Sequence, residues 1–188
     1  MPGNERPSLV PMTTTTSTVR DRWLLTPEQV EAFDRDGYVV LRDRIPADLL
    51  ARLQEASARW IDASYDGAAD RLYADRPSGR VLWRVDYIHD KGDAVSLELL
   101  GSPAVLGIAE SLAGPDFVPT YESLVLKKAG DGAPVPWHQD AVHARRQRLF
   151  NVDVYLDESR AGHGALHVIP GSQRQRTSVA QRTGPAWV

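Results

Sequence analysis

At 188 residues, 42% hydrophobic and 25% charged, the chain has the size and composition of one soluble globular domain with a sizeable core. Its net charge of −3 gives no reason to expect binding to nucleic acid or an anionic membrane, and the lack of cysteine excludes disulfides, thiolate metal sites and cysteine nucleophiles. No run reads as a signal peptide or a membrane span, so the cytoplasm is the expected compartment, and 19 arginines against 3 lysines hint at a GC-rich bacterial genome.

Residues 1–22, rich in Pro, Thr and charge, predict a disordered tail ahead of one domain over 23–188. Order is expected to begin at LLTPEQVEAFDRDGYVVL. Thr26 is a good N-cap, Pro27 suits the first helical position, Gln29 completes a capping box and Gly37 is the natural stop. YVVL then reads as a short strand. A second helix follows Pro46, with Leu49, Leu53, Ala56 and Trp60 as its apolar stripe. Residues 62–80 read as a long, partly irregular connection. In RVLWRVDYI, alternation puts Val81, Trp83, Val85 and Tyr87 on one face and Leu82, Arg84 and Asp86 on the other. SPAVLGIAESLAG reads as a helix capped by Ser102 and ended by Gly114. Strands are predicted at TYESLVLKK, WHQD, LFNVDVYLD and ALHVIP. Helices first and strands afterwards indicate an α+β fold whose strands build a sandwich or barrel.

Two segments carry chemistry. In PVPWHQDAVH, an extended backbone turns His138 and Asp140 to the same side. An imidazole beside a carboxylate suits a divalent metal, iron(II) in a two-histidine, one-carboxylate triad above all, whereas H-x-D alone more often marks a salt-bridged surface pair. In LFNVDVYLD, Phe150, Val152, Val154 and Leu156 make a core face. The opposite face, with Asn151, Asp153 and Tyr155, reads equally well as solvent-facing or as the wall of a polar pocket.

Three segments, LTPEQVEAFDRDGYVVLRDRIPADLL, VPWHQD and NVDVYLDESRAGHGALHVIPGSQ, stand in the order of the phytanoyl-CoA dioxygenase family of iron(II)- and 2-oxoglutarate-dependent oxygenases, which the chain resembles from about Leu25 to Ser172. The resemblance implies a double-stranded β-helix, a jelly-roll barrel with N-terminal helices, and matches His138 and Asp140 to the first two iron ligands. It implies iron(II), 2-oxoglutarate and O₂, with a basic side chain clamping the far carboxylate of 2-oxoglutarate. Arg84 and Lys127 are the basic candidates, and Tyr155 stands where the family often lines the 2-oxoglutarate pocket; a solvated lysine is the plainer reading of Lys127. Trp137 is expected to pack the barrel wall.

The sequence also departs from the family. Its third ligand, a histidine well beyond the PGS segment, and the arginine after it have no counterpart, since no histidine follows His167. Gln173 stands where PGSH is usual. His89, His143, His163 and His167 are poor substitutes by position. The expectation is therefore a C-terminally incomplete barrel.

The leading expectation is a dioxygenase that oxidises a small organic substrate while 2-oxoglutarate is decarboxylated to succinate. The alternative is an inactive family member acting as a binding or remnant module, with self-association through unpaired strand edges. A cupin-like zinc hydrolase is a weaker third reading.

Overall fold

The computed structural model describes residues 21–62, 70–130, 135–140, 149–174, 182–183 and 186–187. The predicted tail falls largely outside these residues, as does His143.

The first helix, α1 (Pro27–Asp36), begins and ends as its sequence dictates. The Thr26 hydroxyl accepts from the Gln29 amide at 3.3 Å, the Gln29 side chain accepts from the Thr26 N–H at 2.9 Å, and Gly37 closes the helix at φ +85°. Helix α2 (Ala47–Ile61) buries Leu49, Leu53, Ala56 and Trp60, the stripe predicted at helical spacing. Each of its two buried leucines, Leu49 and Leu53, contributes about 1.5–3 kcal/mol by leaving water.

The span read as an irregular connection contains a strand. β1 (Arg71–Arg76) forms an antiparallel hairpin with β2 (Gly79–Asp86) across Pro77 and Ser78. Arg71 is buried at its start, where its guanidinium donates to the Trp60 and Ile61 carbonyls at 2.6 and 2.9 Å and closes the end of α2. The register shifts within the hairpin: Leu72 pairs with Arg84 but Tyr73 with Leu82, so Trp83 is bulged. The bulge corrects the expected alternation. Leu82 and Val85 both reach the core, while Arg84 and Asp86 stay together on the opposite face.

β2 also pairs with β3 (Ser123–Val125), giving a three-stranded antiparallel sheet in the order β1-β2-β3. Between these strands lie a 3₁₀ turn (Ile88–Asp90), α3 (Ala94–Leu100), which the sequence reading missed, and α4 (Pro103–Ala113). Ser102 caps α4 by accepting from the Val105 N–H, and Gly114 ends it, as predicted. The apolar stretch Ala94–Ala113 is thus two helices parted at Gly101 and Ser102, with Ala104, Ile108, Ala109 and Leu112 buried. One core gathers α2, Val85, Ile88 and Val95. A second joins Leu25, Ile108 and Leu112 to Val30, Phe33 and Leu41.

The strands predicted at YVVL, WHQD, LFNVDVYLD and ALHVIP correspond to segments without ladder pairing. Alternation reports which face is buried, and in YVVL and LFNVDVYLD it holds: Leu41, Phe150 and Val152 pack on the second core and Leu156 on the first, whereas Leu166, Val168 and Ile169 of ALHVIP are exposed. A ladder needs a neighbour in register as well, and none of the described strands pairs with these segments. A two-residue hairpin, β4 (Arg182–Thr183) with β5 (Ala186–Trp187), completes the described architecture. The fold is α+β with a small antiparallel sheet.

Candidate metal centre

The segment VPWHQD places its imidazole by a local bond. His138 Nδ1 lies 2.8 Å from the Pro136 carbonyl, which can only accept, so Nδ1 carries the proton. In the neutral ring the lone pair is then on Nε2, and Nε2 faces Asp140 Oδ1 at 3.4 Å. A backbone carbonyl fixing one ring nitrogen so that the other can bind metal is the usual support of a ligating histidine. The same-side placement of His138 and Asp140 expected from the sequence is present.

The second carboxylate oxygen, Asp140 Oδ2, accepts from Asn151 Nδ2 at 3.0 Å. Phe150 and Val152 are turned into the core, which sends Asn151 and Asp153 to the opposite side. Burial pushes the Asp153 carboxyl above the usual carboxylate range, and the negative charge of Asp140 adds to the effect. Asp153 nevertheless remains an exposed residue, crowded by protein on one side and open to solvent on the other. Tyr155, half exposed, has its hydroxyl pKa raised by burial and then by the charge of Asp153. Asn151, through its hydrogen bond, and Asp153, through the charge it feels from Asp140, thus lie near the His138–Asp140 pair.

The other predicted residues make contacts of their own. Arg84 Nε donates to Asp86 at 2.6 Å, and its guanidinium lies over the Tyr121 ring, 4.8 Å from the centroid. The Tyr121 hydroxyl also bonds to Asp86. Lys127 is exposed and donates from Nζ to the Gly164 carbonyl at 3.3 Å. Among the described residues, no hydrogen bond or ion pair joins Arg84 or Lys127 to His138 or Asp140. Trp137 is half exposed rather than packed into a wall. His163 and His167 are exposed, and His89 sits between Glu122 and Asp90. No group of three His, Cys, Asp or Glu side chains among the described residues converges to hold a metal.

An imidazole nitrogen and a carboxylate oxygen are both donors that a divalent first-row cation accepts. Neighbouring ligands of a six-coordinate first-row cation, each about 2.0–2.2 Å from the metal, lie roughly 3 Å apart, close to the spacing of this pair. His138 and Asp140 fit as two protein ligands.

The segment is also tied to the first helix. Gln139 Nε2 donates to the Ser172 carbonyl at 2.9 Å. In the 3₁₀ turn Ser172–Arg174, Gln173 Nε2 donates to the Asp34 and Arg35 carbonyls and Arg174 Nη2 to that of Asp34 at 2.8 Å. The Gly171 N–H reaches the Asp36 carbonyl at 2.8 Å. Gln173, the departure from PGSH, thus caps carbonyls at the end of α1. The sequence reading had not seen the roles of Asn151 and Gln139. The alternation of the 149–157 segment was the available signal for Asn151.

Residues 33–187 match the family model for phytanoyl-CoA dioxygenase (PhyH). An ectoine dioxygenase from Sphingopyxis alaskensis is 30% identical over 156 residues, covering 80% of this chain and 50% of that protein. An L-proline trans-4-hydroxylase from Streptomyces griseoviridis is 36% identical over 88 residues, 43% of this chain and 32% of that protein. A probable alpha-ketoglutarate-dependent hypophosphite dioxygenase from Stutzerimonas stutzeri is 26% identical over 159 residues, 80% of this chain and 54% of that protein. The chain spans about half the length of the ectoine and hypophosphite dioxygenases it matches. By this match and by its H-x-D pair, the chain belongs to the phytanoyl-CoA dioxygenase family.

Proposed function

We propose that the chain carries the iron-binding part of an iron(II)- and 2-oxoglutarate-dependent dioxygenase, built on a jelly-roll barrel and acting on a small organic molecule. The observation that carries this reading is the His138 ring, anchored through Nδ1 on Pro136 and presenting Nε2 beside Asp140. Family membership supports it, as do relatives named for the oxidation of small molecules.

Iron(II), when bound, would activate O₂ and couple 2-oxoglutarate decarboxylation to oxidation of the substrate. His138 supplies a neutral donor and Asp140 one negative charge. Asp153 and Tyr155 form the adjoining polar wall. Arg84 is the better basic group for a cosubstrate carboxylate: its Nη groups make no hydrogen bond among the described residues, whereas Lys127 is bound to a carbonyl.

A second reading, a binding module without turnover, is favoured by the lack of a three-ligand cluster among the described residues and by the exposed Val125 on edge strand β3. Cobalt(II) titration, combined with an assay of succinate release from 2-oxoglutarate, separates the two. The enzyme reading expects metal binding, lost in His138→Ala and Asp140→Ala, together with succinate release. Metal binding without succinate release favours the module. Affinity unchanged in Asp140→Ala would remove this residue from the site.

A further inference from the structure

We propose that Asn151 is the positioning residue that fixes how Asp140 holds its metal, an inference that rests on the metal reading above. A carboxylate on a short side chain can bind a cation through one oxygen or both, and it can turn about its last bond between these modes. Asp140 is open to solvent over two-thirds of its side-chain surface, so packing alone does not choose between them. The Asn151 amide does. It donates to Oδ2 at 3.0 Å and leaves Oδ1, the oxygen facing His138 Nε2, as the ligand.

Three features suit Asn151 to this role. Its donor is charge-assisted, because the acceptor is a carboxylate. The side chain is itself neutral, so it orients Asp140 without cancelling the negative charge a dication needs, as a lysine or arginine would. Its own placement is set by the core: Phe150 packs edge-on against Phe33 with ring centroids 6.2 Å apart, and Val152 joins the same cluster. The neighbour of Asp140 in sequence, Gln139, turns its amide to the Ser172 carbonyl instead.

The test is cobalt(II) binding to the full chain, followed by its d–d absorption and by the infrared carboxylate stretches of metal-loaded minus metal-free protein. Asn151→Leu and Asn151→Ser, which remove the donor or shorten it out of reach, are expected to weaken cobalt(II) binding roughly tenfold or more. They should also narrow the gap between asymmetric and symmetric carboxylate stretches, the sign of a shift from one-oxygen to two-oxygen binding. Asn151→Gln, which keeps the carboxamide, should recover part of both signals. The serine variant decides the question if the leucine variant fails to fold. Unchanged affinity and stretches in both variants, with the unsubstituted chain binding cobalt(II), would overturn the positioning role alone. No cobalt(II) binding by the unsubstituted chain would overturn the metal reading and this inference with it.

Discussion

Gln173 occupies the space that a side chain on Gly37 would need: a Cβ built on Gly37 lies 2.5 Å from Gln173 Oε1. Gly37 also has φ +85°, where an L-residue is strained. Gly37→Ala should therefore cost roughly 1–2 kcal/mol for the left-handed backbone. It should cost more because the Gln173 amide must leave the Asp34 and Arg35 carbonyls. Urea unfolding checks this, with a specific signature: in a Gln173→Ala background the added penalty disappears, so the two substitutions are not additive.

Gly107 is tighter still. A Cβ there would overlap the Trp23 carbonyl oxygen and lie 2.7 Å from its carbon, backbone atoms that no rotamer change can move aside. Gly107→Ala should cost about 3 kcal/mol or more by overpacking, far above the ~1 kcal/mol gained in helix propensity. The Trp23 indole resonance should shift strongly in an amide–indole NMR spectrum.

The buried Arg71 guanidinium holds the Trp60 and Ile61 carbonyls. Arg71→Met keeps much of the volume and loses the donors, and it should destabilise the chain by roughly 2–4 kcal/mol. Amide exchange should rise first in the last turn of α2. Exchange changes spread evenly over the chain would argue against this local capping role.

A hydrogen bond to Glu122, reinforced by the charges of Glu122 and Asp90, raises the pKa of His89 above its usual 6.5. The charged ring is thus favoured in the folded state. Below about 6.5 both folded and unfolded forms are protonated and the stabilisation is fully present; it is lost as pH rises through the raised folded value. Denaturant unfolding from mildly acid to mildly alkaline pH should show this fall, and His89→Gln should remove that component of the pH dependence.

Much of the helical half was legible in the sequence because its signals are local. Thr26, Gln29 and Gly37 act within one helix, and the stripe from Leu49 to Trp60 needs only helical spacing and an apolar neighbour. The bulge at Trp83 was not legible, since two-residue alternation cannot announce where a partner strand loses step. Nor was β1, whose residues Arg71, Asp75 and Arg76 hide a strand inside a charged stretch. At the candidate site, His138 and Asp140 were readable because they lie two residues apart. Asn151 lies eleven residues from Asp140 and meets it only through tertiary packing.

The bonds from Gln173 to α1 span 139 and 138 residues of sequence. Contacts of that separation carry a large loop-closure cost and form only after the intervening chain has condensed. The segment bearing His138 and Asp140 is tied through Gln139 to Ser172, next to this closure. During synthesis α1 emerges well before the 171–174 turn, so its last carbonyls must wait for that turn. The segment that carries His138 and Asp140 thereby takes its final position only once the 171–174 turn has closed on α1.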